Sequence, residues 1–166
     1  MNKRIPQPSR ANSGFSLVEI LIVVFVIGLM SGFGMLSIQR ILPRMRTEKA
    51  SSRLAFQLQL SRSEAIATNQ MIWVGLDTDS NEFSSWIDRD GDGTRDADEL
   101  STVELAEPDL VDISSEWTSG LFNAFGQFIL TPGQREIRTV STTFSSGGGQ
   151  FQEELILRGS GAITKR

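Results

Sequence analysis

One apolar segment constrains this 166-residue chain more than any other feature. Residues 15–36 are almost entirely apolar and contain a single charged residue, Glu19. A bilayer core about 30 Å thick is crossed by roughly 20 apolar residues in a helix. We therefore expect residues 15–36 to form a transmembrane helix.

The residues before this segment predict its orientation. Lys3, Arg4 and Arg10 precede it, and the first 14 residues contain no acidic side chain. Lysine and arginine are enriched on the cytoplasmic side of membrane spans, so we expect residues 1–14 to stay in the cytoplasm and the rest to be exported. A secretory signal would have a shorter apolar core, about 7–15 residues, followed by a small-residue cleavage site.

Glu19 is the anomaly in the segment. A carboxylate inside a membrane costs about 2.5–3.5 kcal/mol on insertion scales. It could snorkel towards the headgroups of a plain signal anchor, or it could pair with a cation. A cut between Gly14 and Phe15 would create an α-amino group on Phe15, four residues from Glu19, and would allow one subunit's carboxylate to pair with another's amine.

The sequence GFSLVE at residues 14–19, placed at the mouth of an apolar span, resembles the type III signal of type IV pilins and type II secretion pseudopilins. The resemblance implies that a prepilin peptidase cuts between Gly14 and Phe15 and methylates the amine of Phe15. It also implies that Glu19 aligns subunits during filament assembly. By the same resemblance, the chain crosses the inner membrane once, has a periplasmic C-terminal domain, and joins other pilins in a pilus or pseudopilus through its helix.

The helical pattern continues beyond the span to about residue 69. One face of this amphipathic part should pack on the globular domain; it consists of Ala50, Leu54, Leu58, Ser61 and Ala65, spaced three or four apart. Phe56, Leu60 and Ala67 fall on another side of the same helix. They form either a second apolar surface for neighbouring subunits or one side of a wide core.

From residue 70 onward the pattern changes to short β-prone runs separated by turn residues. The predicted strands are at 71–76, 82–88, 101–106, 110–115, 122–130, 136–144 and 151–158. One long N-terminal helix followed only by strands gives an α+β fold, with the helix packed on an antiparallel β-sheet domain at 70–166. This arrangement resembles the type IV pilin-like architecture, and the resemblance implies that residues 1–14 are the leader and 15–69 the helix.

The stretch at 61–70 that enters the first strand, and the strand, glycine turn and strand at 155–166, resemble the GspH/FimT branch of the pilin superfamily. The resemblance implies a minor pilin or pseudopilin that helps to initiate or cap a type II secretion pseudopilus or a type IV pilus. Some FimT-like members bind DNA through a C-terminal glycine-arginine motif. The matching stretch, 161–164, contains no arginine, and the mature chain would carry 13 basic and 20 acidic residues, so we expect no nucleic-acid partner.

Residues 88–99, DRDGDGTRDADE, fit the spacing of a calcium-binding loop at every specified position. Oxygen ligands at this spacing suit Ca²⁺. The candidate ligands are Asp88, Asp90, Asp92, Thr94, Asp96 and Glu99. The predicted flanking elements are strands, whereas an EF-hand loop lies between helices, so a solvated acidic hairpin loop is the alternative. If calcium binding were the main role, the chain would be a membrane-tethered calcium-responsive binding module that enters no filament.

The residue types argue against an enzyme. The chain contains no cysteine and no histidine, and its only lysines are Lys3, Lys49 and Lys165. Ser-His and Cys-His nucleophilic arrangements are therefore excluded, and a Ser-Lys pair has few candidates. We expect no catalytic residue and no cofactor other than Ca²⁺.

Overall fold

The structure, a computed structural model, describes residues 15–88, 100–130 and 139–166, with the side chains of 32–40 and of residue 100 outside the description. The chain divides into two compact units, Met1–Gln39 and Arg40–Arg166. The first helix, α1, begins at Leu17 and ends at Thr68.

The first unit contains the beginning of α1. The carbonyl oxygen of Ser16 accepts hydrogen bonds from the backbone N–H groups of Glu19 (3.0 Å) and Ile20 (3.3 Å), which closes the first helical turn. Across the described residues, no helix contains a stretch that is long and apolar enough to span a membrane. The predicted span, 15–36, includes positions 32–36, whose side chains lie outside the described residues, and it stays a prediction.

The second unit combines the rest of α1 with nine strands. Their bounds are β1 Ile72–Asp77, β2 Glu82–Trp86, β3 Leu100–Glu104, β4 Asp112–Ser115, β5 Ser119–Phe122, β6 Phe128–Leu130, β7 Val140–Ser146, β8 Phe151–Leu157 and β9 Ile163–Lys165. They form a five-stranded sheet in the order β3-β2-β1-β5-β6 and a four-stranded sheet in the order β4-β7-β8-β9. The paired strands are antiparallel in both sheets, which confirms the α+β pilin-like fold.

The predicted packing face of α1 lies in the core. All five of its members are at most 2% exposed: Ala50, Leu54, Leu58, Ser61 and Ala65. They share this core with apolar residues of both sheets, including Val74 and Phe83 of the first and Phe144 and Leu155 of the second. The helix is therefore the element that covers both sheets, and its burial stabilises the unit through apolar area removed from water.

The other apolar side of α1 is not part of this core. Phe56 is 62% exposed and Leu60 is 49% exposed, and Ala67 is exposed as well. The interpretation as one side of a wide core is therefore wrong. These side chains are exposed on a second side of the helix, and their contact with neighbouring subunits stays a prediction.

The predicted strand at 122–130 is wrong, because the structure divides it into β5 and β6 around a turn. The Oδ1 atom of Asn123 accepts hydrogen bonds from the backbone N–H groups of Phe125 (3.0 Å) and Gln127 (2.9 Å). Gly126 has a φ of 71°, a left-handed conformation that favours glycine. The asparagine side chain thus replaces the bonds of a continuous ladder and reverses the chain.

Arg62, near the end of α1, forms hydrogen bonds to one turn of each sheet. Its Nε donates to the carbonyl oxygen of Gly126 (3.0 Å), and its Nη2 donates to that of Ser160 (3.4 Å). Gly161, with a φ of 78°, lies so close that a Cβ atom there would be 2.0 Å from the Gly126 carbonyl oxygen. This contact explains the glycine turn between β8 and β9.

Candidate assembly site

The predicted processing site lies at the beginning of α1. Gly14 is outside the described residues. Phe15 precedes the first helical turn and is 80% exposed, and Glu19 lies within that turn with an exposed side chain. Both side chains are therefore accessible to another chain.

An exposed apolar surface follows Glu19 along the first unit. The large apolar side chains between Leu17 and Met30 are 45–79% exposed. Contiguous apolar surface of this kind marks a protein or membrane interaction site. The sequence predicts both environments for it, a bilayer before assembly and the helices of other pilins afterwards.

A second exposed apolar surface lies on α1 within the second unit. A hollow of about 400 Å³ is lined by Phe56, Gln59, Leu60, Arg62, Ser63 and Ile66. Phe125, which is 83% exposed, lies at the tip of the β5–β6 turn, and Ile66 packs against the position of Gly126 in the same turn. We call Phe56, Leu60, Ile66 and Phe125 the outer apolar surface.

The candidate calcium loop lies in a β-hairpin. Trp86 at the end of β2 pairs with Leu100 at the beginning of β3, so the loop is flanked by strands, as the sequence predicts. Asp88 is described, whereas the remaining candidate ligands lie outside the described residues: Asp90, Asp92, Thr94, Asp96 and Glu99. In the described ranges, no group of three or more acidic side chains could hold a metal ion. Calcium binding by the loop stays a prediction.

Lys165, which follows the stretch 161–164, is paired within the chain. The Nζ atom of Lys165 lies 3.3 Å from Oε2 of Glu153 and donates a hydrogen bond to Oγ of Ser52 at 3.0 Å. The hydroxyl of Ser51 donates to the same Glu153 carboxylate. Sequence reasoning missed this cluster because Ser52 and Lys165 are 113 residues apart.

These features define a class of protein before any comparison. A Gly-Phe junction and a glutamate open a long helix with exposed apolar side chains, and the end of that helix covers two antiparallel sheets. This combination is that of a type IV pilin-like subunit.

Comparison with known families gives the particular group. The family described as Type II transport protein GspH matches residues 50–161, and the prokaryotic N-terminal methylation motif matches residues 9–35. The chain therefore belongs to the GspH family, the minor pseudopilins and pilins of type II secretion systems and type IV pili. No curated protein sequence matches it.

Solved structures share the fold at low sequence identity. The minor pseudopilin EpsH of the Vibrio cholerae type 2 secretion system is 13% identical, with a TM-score of 0.54 over 73% of this chain and 96% of that one. The type IV minor pilin FimU of Pseudomonas aeruginosa is 17% identical, with a TM-score of 0.57 over 74% and 90%. GspH of E. coli is 11% identical, with a TM-score of 0.50 over 74% and 89%.

Proposed function

We propose that this chain is a non-catalytic minor pilin or pseudopilin that helps to initiate or cap a type II secretion pseudopilus or a type IV pilus. The observation that carries the proposal is the Gly14-Phe15 junction followed by Glu19 in the first turn of α1. The methylation motif and the family assignment support it. Both filament types are represented among the proteins of similar fold, so the proposal covers both.

In this proposal, processing creates the group that Glu19 needs. Cleavage between Gly14 and Phe15 by a prepilin peptidase, in the inner membrane, frees an α-amino group on Phe15, which the same enzyme methylates. An unpaired carboxylate in the membrane costs about 2.5–3.5 kcal/mol, and the amine of a neighbouring subunit would offset this cost. Because the pair forms only when Phe15 of one helix lies beside Glu19 of another, it would also set the stagger between subunits.

The outer apolar surface would extend the contact between subunits beyond the first part of α1. Its residues Phe56 and Leu60 lie on the helix side opposite the core face. Burying them against another subunit would remove apolar area from water at roughly 25 cal/mol per Å². The C-terminal unit, which carries this surface, would be periplasmic before assembly.

A complementation experiment tests the proposal and shows whether the chain acts in a type II secretion pseudopilus or in a type IV pilus. The gene is deleted, and strains carrying the wild-type chain, Glu19→Ala or Glu48→Ala are scored for secreted protein and for surface pili. Glu48 is a matched control because it is an exposed glutamate of the same helix. We expect the Glu19→Ala strain to lose either secretion or surface pili, and the Glu48→Ala strain to retain the same function. Wild-type outputs in the deletion strain would contradict the proposal.

The second candidate function is a membrane-tethered calcium-responsive binding module that enters no filament. It is supported by the full ligand pattern at 88–99 and by the pairing of Trp86 with Leu100, which holds the two ends of the loop together. It differs from the first in two observables. Met1 would remain on the chain, and loss of calcium rather than loss of Glu19 would abolish its activity.

A further inference from the structure

A cleft with three cationic residues on one wall lies beside α1 in the second unit. Arg46, Lys49 and Arg53 are spaced three and four residues apart, which places them on one side of the helix. The cleft has a volume of about 280 Å³. Its other wall is formed by Glu104, the last residue of β3, and by residues of the following segment as far as Val111. Leu105 and Val111 in that wall are buried, so the cleft also has an apolar floor.

The charges of this cleft are not neutralised inside the described part of the chain. There, neither Arg46 nor Lys49 forms an ion pair, although Glu104 and Glu107 are in the opposite wall. Arg53 donates to main-chain carbonyl oxygens, those of Glu104 (3.1 Å) and Leu105 (3.5 Å), which carry no net charge. Residues 40–53 contain five basic side chains and one acidic side chain, Glu48.

The opposite charge is concentrated in the sequence just before strand β3. Residues 88–99 contain six acidic and two basic side chains and lead into β3 at Leu100. The cleft begins at Glu104, where β3 ends. Four steps along a strand span about 13 Å, so Leu100, where the acidic segment joins β3 in sequence, is about that far from Glu104 at the cleft. A cationic cleft and a separate acidic segment of the same sequence are the two complementary features that a heterologous, head-to-tail contact between copies requires.

We infer that the cleft of Arg46, Lys49 and Arg53 binds the acidic segment 88–99 of a second copy of this chain. Complementary charge steers such a contact and fixes its register. The contact is continuous with the outer apolar surface, because an adjoining hollow of about 500 Å³ is lined by Lys49, Arg53 and Phe56 among others. It uses neither Phe15 nor Glu19, so it is independent of processing and its failure would leave the proposed function standing.

Zero-length carbodiimide cross-linking of the unprocessed full chain in detergent micelles tests this contact. Lys49 is one of only three lysines, so a link from its amine to the peptide carrying 88–99 is readily assigned by mass spectrometry. Equal amounts of ¹⁵N-labelled and unlabelled chain are mixed first. If the contact joins two copies, about half of these linked peptides will combine one labelled and one unlabelled partner.

The structure supplies an internal control for the chemistry. Lys165 and Glu153 of one chain are 3.3 Å apart, so their link should form between peptides of the same isotope content. If that link forms while Lys49 gives no link to 88–99, the inference is wrong. If the Lys49 links contain only same-isotope pairs, the segment reaches the cleft of its own chain, which also contradicts the inference.

Two variants separate charge complementarity from chance proximity. Arg46→Gln removes a cation from the cleft but keeps the reactive Lys49, and we expect the mixed-isotope link to fall about fivefold. Arg158→Gln removes an exposed arginine outside the cleft and should leave the yield unchanged. Equal yields from the two variants would overturn the inference.

Discussion

The Nζ atom of Lys165 on β9 lies 3.3 Å from Oε2 of Glu153 on the neighbouring strand β8. The same ammonium donates to Ser52 on α1, so one side chain joins the last strand, its partner strand and the helix. The backbone of Arg166 adds two hydrogen bonds to Glu154, at 2.8 and 3.1 Å. The C-terminus is therefore fixed to the second unit, and one of its two cations already has an anionic partner.

The engaged lysine predicts that the full chain does not bind DNA at physiological salt. Binding by counterion release requires several cations facing the phosphates, whereas Lys165 is already paired and the chain as a whole is acidic. The measurement is a mobility shift with duplex DNA. Glu153→Gln, which releases Lys165, serves as a comparison and should also give no shift. A shift that disappears when Lys165 and Arg166 are removed would contradict the prediction.

The two sides of α1 predict opposite responses to truncation. Leu54 is fully buried, so Leu54→Ala should lower the free energy of unfolding by about 2–5 kcal/mol through lost burial and the cavity left behind. Phe56, two residues away, is 62% exposed. Phe56→Ala should therefore change the free energy of unfolding by no more than about 0.5 kcal/mol. Denaturant unfolding of the full chain in micelles measures both. Equal losses would mean that the core face of α1 is misassigned.

The two glycine turns of the second sheet predict a matched pair of alanine substitutions. Gly161→Ala places a methyl group 2.0 Å from the Gly126 carbonyl oxygen at a positive φ, so it combines strain with a backbone clash. Gly148→Ala meets a similar φ of 70° but no atom within 4 Å. We expect Gly148→Ala to cost about 1 kcal/mol and Gly161→Ala clearly more. A smaller loss for Gly161→Ala would argue against the packing of the β8–β9 turn on the β5–β6 turn.

The acidic loop predicts a thermal response to calcium. A ligand such as Ca²⁺ that binds the folded chain but not the unfolded chain raises the free energy of unfolding. Exported calcium-binding modules have dissociation constants for Ca²⁺ of about 0.1–1 mM. The melting temperature of the full chain should therefore rise in millimolar Ca²⁺. Asp92→Asn, which alters a predicted ligand, should reduce the rise, whereas Asp109→Asn outside the loop should preserve it. An unchanged melting temperature in wild-type chain would contradict calcium binding.

The local sequence pattern was sufficient to predict features that depend on the periodicity of a single helix or strand. The spacing of Ala50, Leu54 and Leu58 predicted the core face because helical periodicity requires those side chains to share one side. The strand that ends in Trp86 was also predicted, since its residues favour a sheet and turn residues follow. The exposure of Phe56 could not be decided, because the spacing shows that it lies on another side of the helix but not whether a second element packs there.

Other features depend on contacts between distant residues or on specific turn chemistry. The run at 122–130 is rich in β-prone residues, and the side-chain bonds of Asn123 that break it are visible only in the folded turn. The Lys165 cluster joins residues more than 100 positions apart, which no periodicity reveals. Gly14 and most of the acidic loop lie outside the described residues, so the assembly and calcium sites stay predictions from the sequence.

The central claim is that the chain is processed as a pilin before it acts. Mass analysis of the N-terminus of membrane-extracted protein, produced together with a prepilin peptidase, tests it most directly. The account predicts a mature chain that begins at N-methylated Phe15, and predicts that a Gly14→Val variant retains its leader while Gly28→Val is processed normally. Wild-type protein that retains Met1 would contradict the account.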